Sequence, residues 1–176
     1  DTAEGEDDGE PELTFTFHLR DGVSLLGWDV LFDGDNIILY LREKPVLQAD
    51  TAKPLDGITI VLDPGHGGTD PGAAGVPYES GPWEKEFNLA DAYALKSRLE
   101  AFGAQVAITQ EDATMTLNDR MELAESLDAD LFISCHHNSL SETVDSNDVS
   151  GIEVYYYNQQ SETFAQDLGA SLSEDT

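Results

Sequence analysis

Cysteine and basic residues are scarce in this chain of 176 residues, which has one Cys and eight Lys plus Arg against 36 Asp plus Glu. The single Cys135 excludes an internal disulfide framework, but it does not by itself fix the redox compartment. The formal net charge of −28 means that nucleic acids and anionic membranes are repelled at long range. We therefore expect no nucleic-acid partner and a strongly solvated surface.

Long apolar runs are also missing. No stretch approaches the roughly 20 apolar residues that a membrane-spanning helix needs, so the sequence predicts no membrane span. The first residues lack the basic and apolar regions of a secretory signal peptide, so a signal would have to precede residue 1. The length allows one main globular domain with a small appendage.

The first quarter of the chain differs in pattern from the rest. Residues 1–12 carry seven acidic side chains and are predicted to be a disordered tail. Apolar residues then alternate from Leu13 to Leu19, and "FDGDN" precedes the apolar residues 37–41, which predicts β-hairpins within 13–43. This segment is either a β appendage or the end of a preceding β domain. Residues 44–56, which include two prolines, are predicted to be a linker.

Strand and helix patterns alternate after the linker. The apolar run "ITIVL" is typical of a strand buried on both faces, and residues 84–102 place Leu residues on one helical stripe that ends at Gly103. Further strands are predicted at 105–109, 131–135 and 152–157, with helices from Thr116 to about Leu127 and from an N-cap at Ser161. The sequence thus predicts an α/β fold, a mostly parallel twisted sheet with helices on both faces, preceded by a small β-hairpin segment.

Three side chains are predicted to meet at one edge of this sheet. His66 lies four residues after the first strand, His136 follows the strand 131–135 directly, and Glu84 begins the long helix. The carboxyl ends of parallel strands share one edge, where ligands bind in open α/β sheets. Two imidazoles and a carboxylate form the ligand set of many hydrolytic zinc sites, with a fourth position left to water.

Each of these residues also has an explanation that needs no ligand. A histidine in a Gly-rich turn is often only a turn residue, and a glutamate at a helix start is favoured by the helix dipole without any metal. The convergence of three segments, rather than any one residue, favours a metal site.

Three segments together resemble a known family. "IVLDPGHGGTDPGAAG", "EKEFNLADA" and "TLNDRMELAESLDADLFISCHHNS" are similar, in order and spacing, to the zinc-dependent N-acetylmuramoyl-L-alanine amidases of bacterial cell-wall turnover. The resemblance implies that residues 57–176 form the catalytic domain. It also implies that zinc is held by His66, Glu84 and His136, rather than by the neighbouring carboxylates Glu79 or Glu86.

The implied reaction is hydrolysis of the amide between the lactyl group of N-acetylmuramic acid and L-alanine in peptidoglycan. A protein with this activity is expected outside the cell or in its envelope. The family's catalytic glutamate lies in a late strand that would follow Thr176, so the resemblance implies a domain incomplete at its C-terminus and leaves the catalytic residue unassigned. Glu153 is the substitute within this chain, although the family has no catalytic role at that place.

The doubled histidine departs from the family pattern, which usually has a small residue at position 137. Strand alternation puts His136 and His137 on opposite faces, so only one can face the metal. His137 and Asn138 are assigned to substrate binding. Arg120 matches a position that recurs in the family, but a structural salt bridge would explain an arginine there equally well.

Two rival functions stay open. The chain could be a zinc-binding cell-wall binding or regulatory module without turnover, because the family's late glutamate is absent from it. A zinc peptidase with the same ligand set is the second rival.

Overall fold

A computed structural model describes residues 14–75, 81–110, 115–140 and 149–174. The chain divides into two compact units, Asp1–Lys44 and Pro45–Thr176. The predicted acidic tail at 1–12 lies outside the described residues. In the described part of the chain, no helix has both the length and the apolar character needed to cross a membrane.

The first unit is an antiparallel β-hairpin made of β1 (Leu25–Asp33) and β2 (Asn36–Glu43). The predicted turn at "FDGDN" is confirmed, since Asp33 pairs with Asn36 and Gly34 has a φ of 57°. A glycine is favoured there because this left-handed conformation costs it nothing.

One face of the hairpin is largely apolar, because three of its cross-strand pairs are Trp28 with Leu41, Val30 with Leu39, and Phe32 with Ile37. The strand predicted over residues 13–19 is wrong for its described part, which has no regular structure and leaves Phe15 and Phe17 exposed. Alternation marks a face, but a strand also needs a neighbouring strand for its backbone hydrogen bonds. Residues 14–20 make no such ladder.

The second unit is built on a three-stranded parallel sheet. Its strands are β3 (Thr59–Pro64), β4 (Gln105–Ile108) and β5 (Leu131–Cys135), in the order β4-β3-β5. The apolar run of β3 makes it the central strand, and Val61 and Leu62 are fully buried. Complete burial of such side chains contributes about 1.5–3 kcal/mol each.

Helix α1 (Glu84–Ala101) covers one face of this sheet. Its sequence contains no β-branched residue and four alanines, a composition with high helix propensity. Its buried stripe packs on the sheet through Leu89, Ala92, Leu95 and Leu99. As predicted, the helix ends before Gly103, whose φ is 102°.

Helix α2 (Leu117–Ser126) begins at the predicted capping box, in which Thr116 Oγ1 accepts the backbone N–H of Asp119 at 3.2 Å. Its Arg120 reaches Asp63 of β3, which is adjacent to Leu62 and therefore points away from the face that α1 covers. Helices thus contact both faces of the sheet, as the sequence predicted.

Two local predictions near the C-terminus are wrong. Residues 152–157 form no strand, because this β-branched and aromatic stretch has no neighbouring strand to pair with in the described part of the chain. The last helix, α3 (Glu162–Glu174), follows a 3-10 turn at Gln159–Ser161, and Asn158 rather than Ser161 is the cap. The Asn158 side chain accepts the N–H of Ser161 at 3.1 Å, which is the bond expected of an N-cap.

Candidate metal centre

Three side chains converge beyond the carboxyl ends of β3 and β5. One nitrogen each of His66 and His136 and one carboxylate oxygen of Glu84 all lie within 4.8 Å of one another. The Glu84 carboxylate stands between the rings, 3.1 Å from His66 Nε2 and 3.0 Å from His136 Nδ1. The two rings are 5.0 Å apart in an edge-to-face arrangement.

Glu84 is a buried carboxylate that is held ionised. Its burial acts to raise the pKa, but hydrogen bonds from the Ala73 N–H, the Asn88 amide, the His136 ring and the His137 N–H outweigh burial and lower the pKa to about 2. Hydrogen bonds to the charged form of a carboxylate favour that form. Glu84 is therefore anionic throughout the neutral range.

The backbone of His66 adopts a left-handed conformation, with a φ of 65° that is uncommon for a residue other than glycine. Its carbonyl accepts hydrogen bonds from Arg120 Nη2, at 2.9 Å, and from the Gln110 side-chain amide. On the ring, Nδ1 lies 2.9 Å from Asp70 Oδ2. Groups from three segments thus hold both the backbone and the ring of His66.

The doubled histidine follows β5, and its two rings have different partners. His136 faces the Glu84 carboxylate, whereas His137 Nδ1 lies 2.9 Å from Asn88 Oδ1. His137 Nε2 is 3.4 Å from Asp91 Oδ2. Asn88 is a residue that the sequence reasoning missed. It was recognisable as a polar residue one turn after Glu84, in the stripe that faces the core.

Two glycines leave the space that the donor groups occupy. A Cβ at Gly72 would lie 2.6 Å from His66 Cδ2 and 2.8 Å from Glu84 Oε2. A Cβ at Gly65 would overlap the His136 ring. Neither position has room for a side chain.

The other candidate residues from the sequence are not part of the donor cluster. Glu79 falls outside the described residues, and Glu86 accepts the Trp83 N–H at 3.2 Å, so its carboxylate caps the helix start. Asn138 donates a hydrogen bond to Glu153 Oε2, which also accepts from the Tyr155 hydroxyl at 3.1 Å. Glu153 is thereby linked to the segment that carries His136.

A buried polar network lies beneath the donors. Asp63 accepts hydrogen bonds from Arg120 Nη1 at 2.8 Å, from Thr109 Oγ1 at 2.6 Å and from Ser134 Oγ at 2.5 Å. The salt bridge considered for Arg120 is therefore present. Arg120 also donates to the Pro64 carbonyl at 3.1 Å. The sequence analysis assigned no role to Asp63 or Ser134, although each is a polar residue inside an otherwise apolar strand.

The donor set fits a zinc ion by its chemistry. Two imidazoles and an ionised carboxylate are preferred zinc ligands, and on a tetrahedral ion their donor atoms stand about 3.4 Å apart. The side chain of Glu84 is only 7% exposed, whereas that of His136 is 52% exposed, so the cluster opens to solvent on one side. Zinc hydrolases keep such an open side for water and substrate.

Comparison with known proteins identifies relatives of this chain. The family model described as N-acetylmuramoyl-L-alanine amidase, Amidase_3, matches residues 60–176. A probable cell wall amidase LytH of Staphylococcus epidermidis is 39% identical over 132 residues, covering 74% of this chain and 42% of the relative. The LytH protein of Staphylococcus aureus is 37% identical over 131 residues, which cover 72% of this chain and 41% of the relative. The matched region thus spans less than half the length of these relatives.

Solved structures agree in fold. The catalytic domain of CwlV, an N-acetylmuramoyl-L-alanine amidase from Bacillus (Paenibacillus) polymyxa var. colistinus, matches with a TM-score of 0.54 and 37% identity, covering 62% of this chain and 59% of that one. The amidase AmiC2 of Nostoc punctiforme matches with a TM-score of 0.55 and 37% identity, covering 63% and 59%. Together with the family model, these matches show that the chain belongs to the N-acetylmuramoyl-L-alanine amidase family.

Proposed function

We propose that this protein uses zinc to hydrolyse the amide between N-acetylmuramic acid and L-alanine in peptidoglycan, outside the cell or in its envelope. The observation that carries the proposal is the convergence of His66, Glu84 and His136 on one sheet edge in a member of the amidase family. When bound there, zinc supplies a Lewis acid that polarises the amide carbonyl and makes water nucleophilic near neutral pH.

The side chains of this site are already charged and oriented in the metal-free protein. Glu84 brings a full negative charge, because its pKa of about 2 keeps the carboxylate ionised. The left-handed backbone of His66 directs one ring edge towards Glu84. The exposed side of His136 leaves room for the scissile amide.

His137 and Asn138 are assigned to substrate binding. The His137 ring is held by Asn88 and Asp91 yet remains 48% exposed, so a fixed and accessible ring lies beside the donors. Fixed polar groups of this kind orient a substrate. The bonds from Asn138 and Tyr155 hold Glu153 near the same segment.

Amide hydrolysis also needs a group that moves a proton from water to the leaving amine. Loss of such general acid-base assistance typically costs about 100- to 10,000-fold in rate. Glu153 is the carboxylate to test within the described residues, and Glu153→Gln is the matched variant. A loss in that range assigns the proton transfer to Glu153, and an unchanged rate removes it from the mechanism.

The test combines metal analysis with product analysis. Purified protein is assayed for zinc content, and peptidoglycan is incubated with it and examined for free stem peptides and for new N-terminal alanine. Zinc together with muramoyl-alanine cleavage supports the proposal. Zinc without release would identify a binding module, and cleavage within the stem peptide would identify a peptidase. Either result contradicts the proposed reaction.

A variant series tests the ligand assignment. His66→Ala and His136→Ala are expected to lose zinc, because each removes one of three donors. His137→Ala is the matched control and should keep zinc, since its ring contacts Asn88 and not the donor cluster. Full zinc retention by His136→Ala, with loss by His137→Ala, would show that the two histidines had been assigned the wrong way round.

A further inference from the structure

Asp70 is an exposed residue that has no part in the proposed reaction as described above. It lies four residues after His66, in the loop that follows β3, and its side chain is 64% exposed. Its two carboxylate oxygens have different partners. Oδ2 lies 2.9 Å from His66 Nδ1, and Oδ1 accepts the backbone N–H of Gly72 at 3.1 Å.

The two nitrogens of the His66 ring face opposite ways. Nε2 lies 3.1 Å from Glu84 Oε2, on the side of the donor cluster, and Nδ1 faces Asp70. A neutral imidazole carries one proton, so a metal bound at one nitrogen requires the proton on the other. A carboxylate facing Nδ1 favours the proton there, because it accepts a hydrogen bond and donates none.

We propose that Asp70 is a positioning residue, which holds the Nδ1–H of His66 so that Nε2 carries the lone pair directed at the metal. This inference rests on the proposed zinc site and adds to it a residue that acts through His66. The same carboxylate ties down Gly72, the glycine that makes room for the His66 ring and the Glu84 carboxylate. One side chain therefore sets both the protonation pattern of the ring and the loop that packs against it.

The isosteric variant Asp70→Asn separates these two roles. An amide has one acceptor and one donor, so asparagine can accept the Gly72 N–H or the His66 Nδ1–H but not both. If the side chain keeps its bond to Gly72, the amide N–H₂ faces His66 Nδ1 and opposes a proton there. Loss of a group that orients a metal-bound histidine typically weakens metal binding about 10- to 100-fold.

The experiment measures zinc affinity by competition with a chelator in the whole chain. Asp70→Asn and Asp70→Ala are both expected to bind zinc at least about 10-fold more weakly than the wild type. Asp91→Asn is the matched control, because it removes an equally exposed carboxylate that contacts His137 instead of His66. Its zinc affinity should be unchanged. The unfolding temperature of metal-free Asp70→Asn should fall only slightly, because the exposed side chain keeps one of its two hydrogen bonds.

A spectroscopic signature tests the tautomer directly. In zinc-loaded wild type, the ¹⁵N resonances of the His66 ring should show a metal-bound Nε2 and a protonated Nδ1 whose hydrogen exchanges slowly with water. In Asp70→Asn that hydrogen should exchange faster. Wild-type zinc affinity and an unchanged Nδ1–H in Asp70→Asn would overturn the inference, because a role confined to the loop predicts that result.

His66→Ala distinguishes failure of this inference from failure of the zinc site. If His66→Ala loses zinc while Asp70→Asn keeps it, only the role of Asp70 is wrong. If His66→Ala keeps zinc at wild-type affinity, the proposed metal site itself is wrong.

Discussion

Replacing Arg120 by alanine is expected to destabilise the second unit by about 3–5 kcal/mol, the usual cost of removing one partner from a buried ion pair. The Arg120 and Asp63 side chains are only 10% and 7% exposed, so water does not replace the missing guanidinium. Asp63 would keep the hydroxyls of Thr109 and Ser134, but no compensating positive charge. The carbonyls of Pro64 and His66 would each lose a donor.

The assay is thermal unfolding of metal-free protein, followed by circular dichroism. A loss of 3–5 kcal/mol should lower Tm by roughly 10 to 20 °C in a unit of this size. Arg98→Ala is the control, because Arg98 is exposed and its contact is a cation–π interaction with Phe102 at 5.8 Å. Arg98→Ala should lower the free energy of unfolding by only about 0.5–1 kcal/mol. Arg120→Lys should fall between, since one ammonium cannot serve all three acceptors.

A double-mutant cycle completes the test. Asp63→Ala combined with Arg120→Ala should cost clearly less than the sum of the two single variants, because the double variant leaves no unpaired buried charge. A loss below about 1 kcal/mol for Arg120→Ala, or strict additivity in the cycle, would refute the argument that this pair is coupled in a water-excluded site.

Two further predictions follow from the donor cluster. Gly72→Ala should reduce zinc affinity sharply, whereas Gly57→Ala, also at positive φ but with no atom within 4 Å of its added Cβ, should cost stability alone; equal zinc affinities measured by chelator competition would contradict the steric reasoning. Folding lowers the pKa of Glu84 from 4.5 to about 2. Its ionised carboxylate therefore adds to the free energy of unfolding above pH 4.5, and this stabilisation is lost as the pH falls towards 2. The free energy of unfolding of metal-free wild type should therefore fall by about 3 kcal/mol more than that of Glu84→Gln between pH 6 and pH 2, and parallel pH profiles in urea unfolding would contradict it.

Local patterns predicted the elements whose signals lie within a few residues. Three such signals are found in the structure, and each depends only on residues close together in the sequence. They are the capping box at Thr116, the glycine at the end of α1 (Gly103) and the hairpin turn at Gly34. The convergence of donors at one sheet edge was also predictable, because parallel strands connected by helices leave their carboxyl ends on the same side.

The remaining features depend on partners that are distant in sequence. Residues 14–20 and 152–157 have strand-like patterns, but no local signal says whether a neighbouring strand is present. The role of Asp63 was hidden because its partner Ser134 lies 71 residues away. The choice of Asn158 over Ser161 as a cap depended on a 3-10 turn that changes the register by three residues.

The parallel pairing of β3 with β5 also bears on when the donor cluster can form during folding. Glu84 and His136 are 52 residues apart, and His136 reaches its place only once β5 has docked on β3. Closing so long a loop is slow compared with forming α1. We therefore expect zinc to bind only after β5 has docked on β3, which would leave the refolding rate unchanged and slow unfolding instead. In an environment where zinc is available, the bound ion would lower the unfolding rate and so lengthen the lifetime of the folded state.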